Sequence, residues 1–255
     1  IDSHGVSNMM RAYVAGFRAE QINPTPLARR ERDTLGAISY DCDNGLGIAQ
    51  SRVFMEEACE RAKNTGVAVV TAYNGQHYGP SAYYAHLALA HDMIGISMTT
   101  GGLLVTPTQG AERLLGLNPI GIAAPSNAEV PFIFDASMSS VAANKIQLLR
   151  RVDGNVAPGW ITDAEGAPVM EESPVLEGFM MLPLGGTREI GSHKGFGLAM
   201  LVEILCGVLT GTGGGPFRRQ GTAHYFMAYD VGAFCDVATF KKDMDEYLRA
   251  LLDCK

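Results

Sequence analysis

The sequence predicts an α/β or α+β protein in which helices cover a central sheet, and three observations support this fold class. Short apolar or β-branched runs alternate with stretches of helical periodicity in the middle third of the 255 residues. Apolar residues make up 47% of the chain and charged residues only 18%, a composition that excludes a mainly disordered protein. The 30 glycines are spread without a triplet period, which predicts many tight turns and excludes a collagen-like repeat.

The predicted helices and strands follow one another from residue 53 to residue 134. Phe54, Ala58 and Ala62 are spaced four residues apart, as on one face of a helix, and Gly66 follows where that helix ends. Pro80 stands where a second helix typically has its first residue. The elements predicted here are helices over 53–63 and 80–92 and strands over 67–70, 94–98, 120–124 and 131–134.

The second half of the chain alternates between long loops and apolar helices. Residues 154–174 interrupt every apolar pair with Gly, Pro, Asp or Glu and predict a surface loop. A second glycine-rich loop over 185–197 leads into an apolar helix over 196–209, and an amphipathic helix begins near Phe240. The apolar helix is too short to cross a bilayer, so no membrane partner is expected.

Charge and cysteine content narrow the class of protein. The net charge of −7 and the lack of a basic patch argue against a nucleic-acid partner. Five cysteines, widely spaced and without a C-x-x-C motif, argue against a disulfide framework and a structural zinc site. We therefore expect a cytoplasmic protein that binds neither nucleic acid nor a structural metal.

Common catalytic motifs are missing from the sequence. It contains no P-loop, no G-x-S-x-G elbow, no H-E-x-x-H helix and no intact G-x-G-x-x-G after a strand. These absences argue against a P-loop NTPase, a common serine hydrolase, a zinc protease and a Rossmann-type dehydrogenase. Residues 41–45 are typical of an Asp-rich turn, because their glycine stands one position too early for a calcium loop.

Four residues with reactive or charged side chains lie in turn-like sequence. These are His4 in Ser-His-Gly, His77 in Gly-Gln-His-Tyr-Gly, Lys194 in Ser-His-Lys-Gly, and Asp135 at the end of a predicted strand. Taken singly, the histidines are typical of turn residues and Asp135 of a helix N-cap. Taken together, an imidazole that titrates near neutrality and a lysine beside a helix N-terminus favour an enzyme with an anionic ligand.

Eight segments, in order along the chain, resemble the malate/L-lactate dehydrogenase family that is unrelated to the Rossmann-type enzymes. Relatives in that family include ureidoglycolate, sulfolactate and diketogulonate dehydrogenases and a cyclic-imine reductase. The match covers nearly the whole chain, and eight matches in order are not expected by chance. The matching segments are residues 2–6, 43–47, 74–79, 117–120, 135–140, 145–146, 158–160 and 194–211.

The resemblance implies a non-Rossmann dinucleotide-binding fold with a mixed central sheet flanked by helices, working as a homodimer. It implies an NAD- or NADP-dependent oxidoreductase that interconverts a 2-hydroxy acid of malate or lactate type and its 2-oxo acid. Residues 1–60 and 222–255 are then helical segments on the substrate side, and residues 61–221 are the cofactor-binding mixed-sheet core. We expect the glycine-lined turns to converge into one cleft.

Each motif of the family implies a role for residues of this sequence. His4 of the S-H-G motif corresponds to the proton donor and acceptor, and His77 of the N-x-x-H motif also lies at the active site, with the base role in some members. The implied substrate-binding residues are Ser3, Arg11 and Asn118. The implied cofactor-binding residues are Asp135, Ala136, Ser137, Ser139, His193, Lys194 and Gly195.

Three departures from the family pattern keep alternatives open. Asn8 stands where relatives commonly place an arginine that clamps the substrate carboxylate, and Arg11 is the nearest substitute, about one helical turn further on. Residues 74–79 read N-G-Q-H-Y-G instead of N-S-N-H-F-G. Relatives also carry a helical start before S-H-G and a Pro-Gly segment after the position of Lys255, so a longer protein is expected. The alternatives are an imine or keto-sugar-acid reductase on the same scaffold and a non-catalytic dinucleotide-binding paralogue.

Overall fold

The computed structural model describes residues 6–254, which contain six α-helices and eleven strands. The helices are α1 (Val6–Arg18), α2 (Gly47–Thr65), α3 (Ser81–Leu87), α4 (Ala143–Arg151), α5 (Ser192–Val202) and α6 (Val237–Leu252). The strands are β1 (Arg29–Asp33), β2 (Ala37–Asp41), β3 (Val67–Gly75), β4 (Met93–Thr99), β5 (Ile120–Ala124), β6 (Phe132–Ala136), β7 (Asn155–Val156), β8 (Ile161–Thr162), β9 (Ser173–Pro174), β10 (Met180–Met181) and β11 (Thr222–Asp230).

Seven of these strands form one sheet in the order β1-β2-β3-β11-β4-β5-β6. The β1–β2 and β4–β5 pairs are antiparallel, while β2 and β3 are parallel. The sheet is therefore mixed, which confirms the predicted fold class. Four short strands in the predicted surface loop and just after it form the separate pairs β7–β9 and β8–β10.

Two compact units divide the described residues. The first unit comprises residues 6–22, 99–119 and 136–222, and the second comprises residues 23–98, 120–135 and 223–254. The division predicted on functional grounds, at residues 60 and 222, differs from this one and stays a prediction. Its outer ranges contain the strands β1, β2 and β11 as well as helices.

The sheet of the second unit is buried at its centre and charged at one edge. β1 reads Arg-Arg-Glu-Arg-Asp, and all of its residues are exposed, which discourages pairing with another edge strand. The core contains Phe54, Ala58 and Ala62 of α2, the helical face that the sequence predicts. Val70 of β3 and Phe226 of β11 belong to the same core.

Two strand glycines allow α3 to lie directly on the sheet. A Cβ added to Gly95 of β4 would overlap the Ala85 carbonyl oxygen, and one added to Gly121 of β5 would overlap the backbone of Ser81 and Ala82. The N-terminus of α3, which follows the His77 segment of the sequence, is thereby fixed against β5.

In the first unit, α5 begins earlier than the sequence predicts. The predicted loop over 185–197 ends at Gly191, because residues from Ser192 onward are helical. α5 continues as a π-helical segment over Glu203–Val208, so the prediction of an apolar helix ending near Leu209 is confirmed. In the part of the chain that the structure describes, no helix combines the length and the hydropathy that crossing a membrane requires.

One carboxylate ties α6 to the loop between β5 and β6. Asp245 accepts hydrogen bonds from the backbone N–H groups of Asn127, Ala128 and Glu129 at 3.0, 2.8 and 3.0 Å. These donors, Ala128 first, bring the pKa of Asp245 below its ordinary value of 3.8, although burial opposes them. Asp245 therefore stabilises the fold as the anion.

Replacing Asp245 with asparagine is expected to lower the melting temperature near neutral pH, because an amide nitrogen would then face backbone N–H donors. A folded-state pKa below the unfolded value gives a contribution that is present above the unfolded pKa and is lost as pH falls through the folded pKa. Melting curves of both proteins should thus approach each other below pH 3.8. Glu246→Gln, at the exposed neighbouring carboxylate, is the control. A gap that stays constant at every pH would contradict this prediction.

Candidate active site

The His77 loop, residues 74–80 of the second unit, is bound by the first turn of α2. Gly47 N–H donates to the Gln76 carbonyl at 3.3 Å, and Ile48 N–H donates to the His77 carbonyl at 3.4 Å. A Cβ on Gly47 would overlap the loop backbone, so only glycine permits this close approach. The backbone of His77 is therefore held, while its side chain is half-buried.

The Asp-rich turn over 41–45 supports the start of the loop. Asn74 Nδ2 donates to Asp41 Oδ1 at 2.8 Å. Burial raises the pKa of Asp41, but hydrogen bonds from Asp43 N–H, Asn74 and Arg29 outweigh it and bring the pKa below its ordinary value. The Asp41 carboxylate therefore stabilises the turn by accepting these hydrogen bonds. The described residues contain no cluster of three metal-ligating side chains.

Tyr78 anchors the His77 loop in the core. Its ring is fully buried, and its hydroxyl oxygen lies 2.6 Å from Ser81 Oγ and 3.1 Å from Ser97 Oγ. The ring stacks on both Tyr84 and His224, each with a centroid distance of 4.9 Å. The residue that follows His77 is therefore fixed by polar and aromatic contacts together.

His224 of β11 is a residue of this site that the sequence analysis did not single out. Burial first, and then the charge of His77, lower the pKa of His224 to about 3, whereas a hydrogen bond with the Gln76 backbone raises it. The fully buried imidazole is therefore uncharged near neutral pH. No local sequence motif indicates a role for this histidine. Its contacts with the His77 loop arise only from the position of β11 in the folded chain.

Asp135, near the end of β6, caps α3. Its carboxylate accepts a hydrogen bond from Ala82 N–H at 2.7 Å. Pro80, the N-cap residue of α3, makes no side-chain hydrogen bond there, so Asp135 fills that role from β6. The prediction that Asp135 is the N-cap of a helix that follows it is wrong, because the next helix, α4, has Ala142 as its N-cap; the carboxylate instead binds the N-terminus of α3 from β6. The cofactor-binding role of Asp135, and that of Ala136 after it, stay predictions.

Two segments of the first unit that contain predicted cofactor-binding residues contact Leu184. Leu184 N–H donates to the Met138 carbonyl at 3.0 Å, and Ser137 Oγ lies 3.0 Å from Ser139 Oγ on either side of Met138. A Cβ on Gly195 would overlap the Leu184 carbonyl. The segment with the two serine hydroxyls and the first turn of α5 therefore both contact Leu184.

The N-terminus of α5 is electropositive. Gly191, its N-cap residue, has a φ of 109° and no side chain with which to cap the helix. His193 and Lys194 are exposed in the first turn, where the helix dipole disfavours the Lys194 ammonium group unless an anion lies nearby. The donors present therefore fit a phosphate-bearing ligand such as a dinucleotide.

Gly195→Ala is expected to lower the free energy of unfolding by ~1–3 kcal/mol, because the new Cβ would overlap the Leu184 backbone. Gly197→Ala in the same helix is the matched control. Nothing lies within 4 Å of a Cβ added there, so the better helix propensity of alanine should raise the free energy of unfolding by up to ~1 kcal/mol. Urea unfolding measures both values, and equal effects would show that the Leu184 contact does not govern the choice of glycine.

Asn118 is fully buried and joins three parts of the first unit. Its Oδ1 accepts from Gly101 N–H at 3.0 Å, and its Nδ2 donates to the Ala199 carbonyl at 3.0 Å and to Glu203 Oε1 at 2.9 Å. Both N–H groups of the amide are used within the protein. The substrate-binding role of Asn118 stays a prediction.

Arg11 is exposed on α1 beside a shallow cavity of about 390 Å³. The residues that line this cavity are Met10, Arg11, Val14, Ala15 and Arg18. The predicted catalytic His4 and the predicted substrate-binding Ser3 lie outside the described residues. Their roles, and the convergence of the predicted turns into one cleft, stay predictions.

Comparisons with known proteins agree with one another. The family model for malate/L-lactate dehydrogenase matches residues 1–255. A malate dehydrogenase from Pyrococcus horikoshii is 36% identical over 98% of this chain and 71% of its own length. An L-sulfolactate dehydrogenase from Methanocaldococcus jannaschii is 33% identical over 96% of this chain and 71% of its own length. The crystal structure of a malate dehydrogenase from Entamoeba histolytica matches with a TM-score of 0.91 and 29% identity, covering 100% of this chain and 74% of that one.

Proposed function

This chain belongs to the malate/L-lactate dehydrogenase family, and from that premise we propose that it interconverts a malate- or lactate-type 2-hydroxy acid and its 2-oxo acid with NAD or NADP. It is an oxidoreductase, and its homologues include malate and sulfolactate dehydrogenases. A nicotinamide cofactor follows from the family, and the choice between NAD and NADP is part of the proposal. So are the homodimeric state and the cytoplasmic location.

The observation that carries the proposal is the exposed Lys194 ammonium group, with the exposed His193 beside it, at the N-terminus of α5. Lys194 adds a positive charge, and His193 a polar ring, at the positive end of the helix dipole, where the Ser192 and Lys194 N–H groups already donate to the Thr187 and Gly191 carbonyls at 2.9 Å. Ser137 contributes a hydroxyl from the segment that, like α5, contacts Leu184, and the buried Ser139 hydroxyl, which donates to the Val141 carbonyl at 2.7 Å, lies 3.0 Å from Ser137 Oγ. We assign the dinucleotide phosphates to these residues. When bound, the nicotinamide supplies or accepts the hydride.

Proton transfer is assigned to histidine. In the direction of oxidation, His4 takes the proton of the substrate hydroxyl, as the family resemblance implies, and His77 shares the acid–base work. In the reverse direction an imidazolium returns the proton to the carbonyl oxygen. The rigid backbone of the His77 loop suits this task, because an immobilised imidazole needs little reorganisation during the reaction. The substrate carboxylate is assigned to Arg11, since Asn8 has no charge with which to pair it.

A second candidate, an imine or keto-sugar-acid reductase, is favoured by Asn8 in place of the usual arginine. Absorbance of reduced NAD and NADP, followed with oxaloacetate, pyruvate, a cyclic imine carboxylate and a keto-sugar acid, separates the candidates. Fastest oxidation of the cofactor with oxaloacetate or pyruvate is the expected result. Turnover confined to the imine or the sugar acid would favour the second candidate. Cofactor binding without turnover on any compound would instead favour a non-catalytic paralogue.

A further inference from the structure

His224 contacts both of the residues that flank His77 in the sequence. Its ring stacks on Tyr78 at a centroid distance of 4.9 Å and an interplanar angle of 6°. It also forms a hydrogen bond with the Gln76 backbone that favours the protonated form of the ring. A carbonyl that accepts from a ring N–H has this effect, so His224 donates to the Gln76 carbonyl.

We propose that His224 is a positioning residue for His77: by binding Gln76 and Tyr78 it fixes the direction of the imidazole between them. The inference rests on the proposed function, in which His77 takes part in proton transfer. A displacement of ~1 Å in a reacting group can cost ~100-fold in rate. A contact on each side of His77 therefore limits displacement of its imidazole and keeps kcat high.

Other contacts fix the backbone on either side of His77. Gln76 N–H donates to the Gly45 carbonyl at 2.9 Å, whereas the N–H groups of Gly47 and Ile48 donate to the Gln76 and His77 carbonyls at 3.3 and 3.4 Å, beyond the usual range for such bonds. Tyr78 is held more firmly, by Ser81 Oγ at 2.6 Å and by Tyr84, on which it stacks. His224 links that firm anchor to the carbonyl of the residue before His77.

The uncharged state of His224 suits a positioning residue. A buried cation at this position would lack solvation and would repel a proton on His77. Burial keeps the pKa of His224 at about 3. The ring therefore keeps one charge state while its neighbour exchanges a proton.

Three variants of the full chain test the role by steady-state kinetics. His224→Phe keeps an aromatic ring beside Tyr78 and removes the donor, and it should lower kcat by ~10- to 100-fold with KM and dinucleotide affinity nearly unchanged. His224→Asn restores a donor and should recover part of kcat. Phe226→Leu is the matched control, because Phe226 lies on the same face of β11 as His224 and belongs to the same core. The ring centroids of Phe226 and Tyr78 are 6.2 Å apart. This variant should lower the melting temperature and leave kcat near wild type.

A second measurement does not depend on turnover. Ring ¹H–¹⁵N NMR signals of His77, recorded without substrate, should shift and broaden in His224→Phe and stay near their wild-type positions in Phe226→Leu. Unchanged His77 signals and kcat in His224→Phe, or equal changes in Phe226→Leu, would overturn the positioning role. Absence of turnover on every substrate would refute the proposed function instead, and the His77 signals would still decide the role of His224.

Discussion

Replacing His77 with asparagine is expected to lower kcat by ~10²–10⁴-fold, the range that general acid–base catalysis contributes. Asparagine keeps a polar side chain of similar reach but cannot take up a proton near neutral pH. The backbone bonds that hold the loop do not depend on the imidazole, because Ile48 N–H donates to the His77 carbonyl. Dinucleotide affinity should therefore stay near wild type. Initial rates with the best 2-oxo acid and a fluorescence titration with reduced cofactor measure the two quantities.

His86→Asn is the control for this substitution, because it makes the same change at an exposed position on α3. It should leave kcat and affinity unaltered. His4→Asn completes the comparison: if both histidines act on one proton, the double variant should be little slower than the slower single variant. A full rate in His77→Asn, or a collapse of cofactor affinity with kcat retained, would remove His77 from the acid–base machinery.

The part of the fold with strong periodicity could be predicted from the sequence. β4 to β6, which are short apolar runs, were predicted within two residues of their observed bounds. α2, whose buried residues are spaced four apart, was found as a helix but begins six residues before its predicted start, and β3 ends five residues after its predicted end. β1 was missed because it contains five exposed charged residues and takes its place through pairing with β2. β11 was missed because its apolar residues are interrupted by His224, and its burial comes from strands on both sides.

The site was predictable where the chemistry is local. The glycine-rich turn around His77 and the strand end at Asp135 are visible in the sequence, and both residues occupy such positions. The role of Gly195 was not visible, because the Leu184 carbonyl that excludes a side chain there belongs to another loop. His224 likewise gains its meaning only from Tyr78, which is far away in the sequence.

Replacing Lys194 with alanine is expected to raise the Kd for the dinucleotide by ~10- to 100-fold, because a hydrogen bond to a charged group is worth ~1.5–3 kcal/mol. Lys194 is exposed in the first turn of α5, where its ammonium group can add to the helix N-terminus in binding phosphate. kcat at saturating cofactor should change little, since the residue is assigned no part in proton transfer. Fluorescence titrations at low and high salt measure the effect, which should shrink as salt screens the charge.

Lys242→Ala is the control for this loss of charge. Lys242 is highly exposed on α6 in the second unit, with its Nζ 3.7 Å from Glu246 Oε1. Its replacement by alanine removes one positive charge, as Lys194→Ala does. It should leave the Kd for the dinucleotide at its wild-type value, because Lys242 is assigned no part in cofactor binding. If the two variants weaken the cofactor equally, net charge explains the effect and α5 is not the phosphate site. If Lys194→Ala lowers kcat and leaves Kd unchanged, the ammonium group acts on the reaction and not on cofactor binding. That result would contradict the assignment of the phosphates to α5.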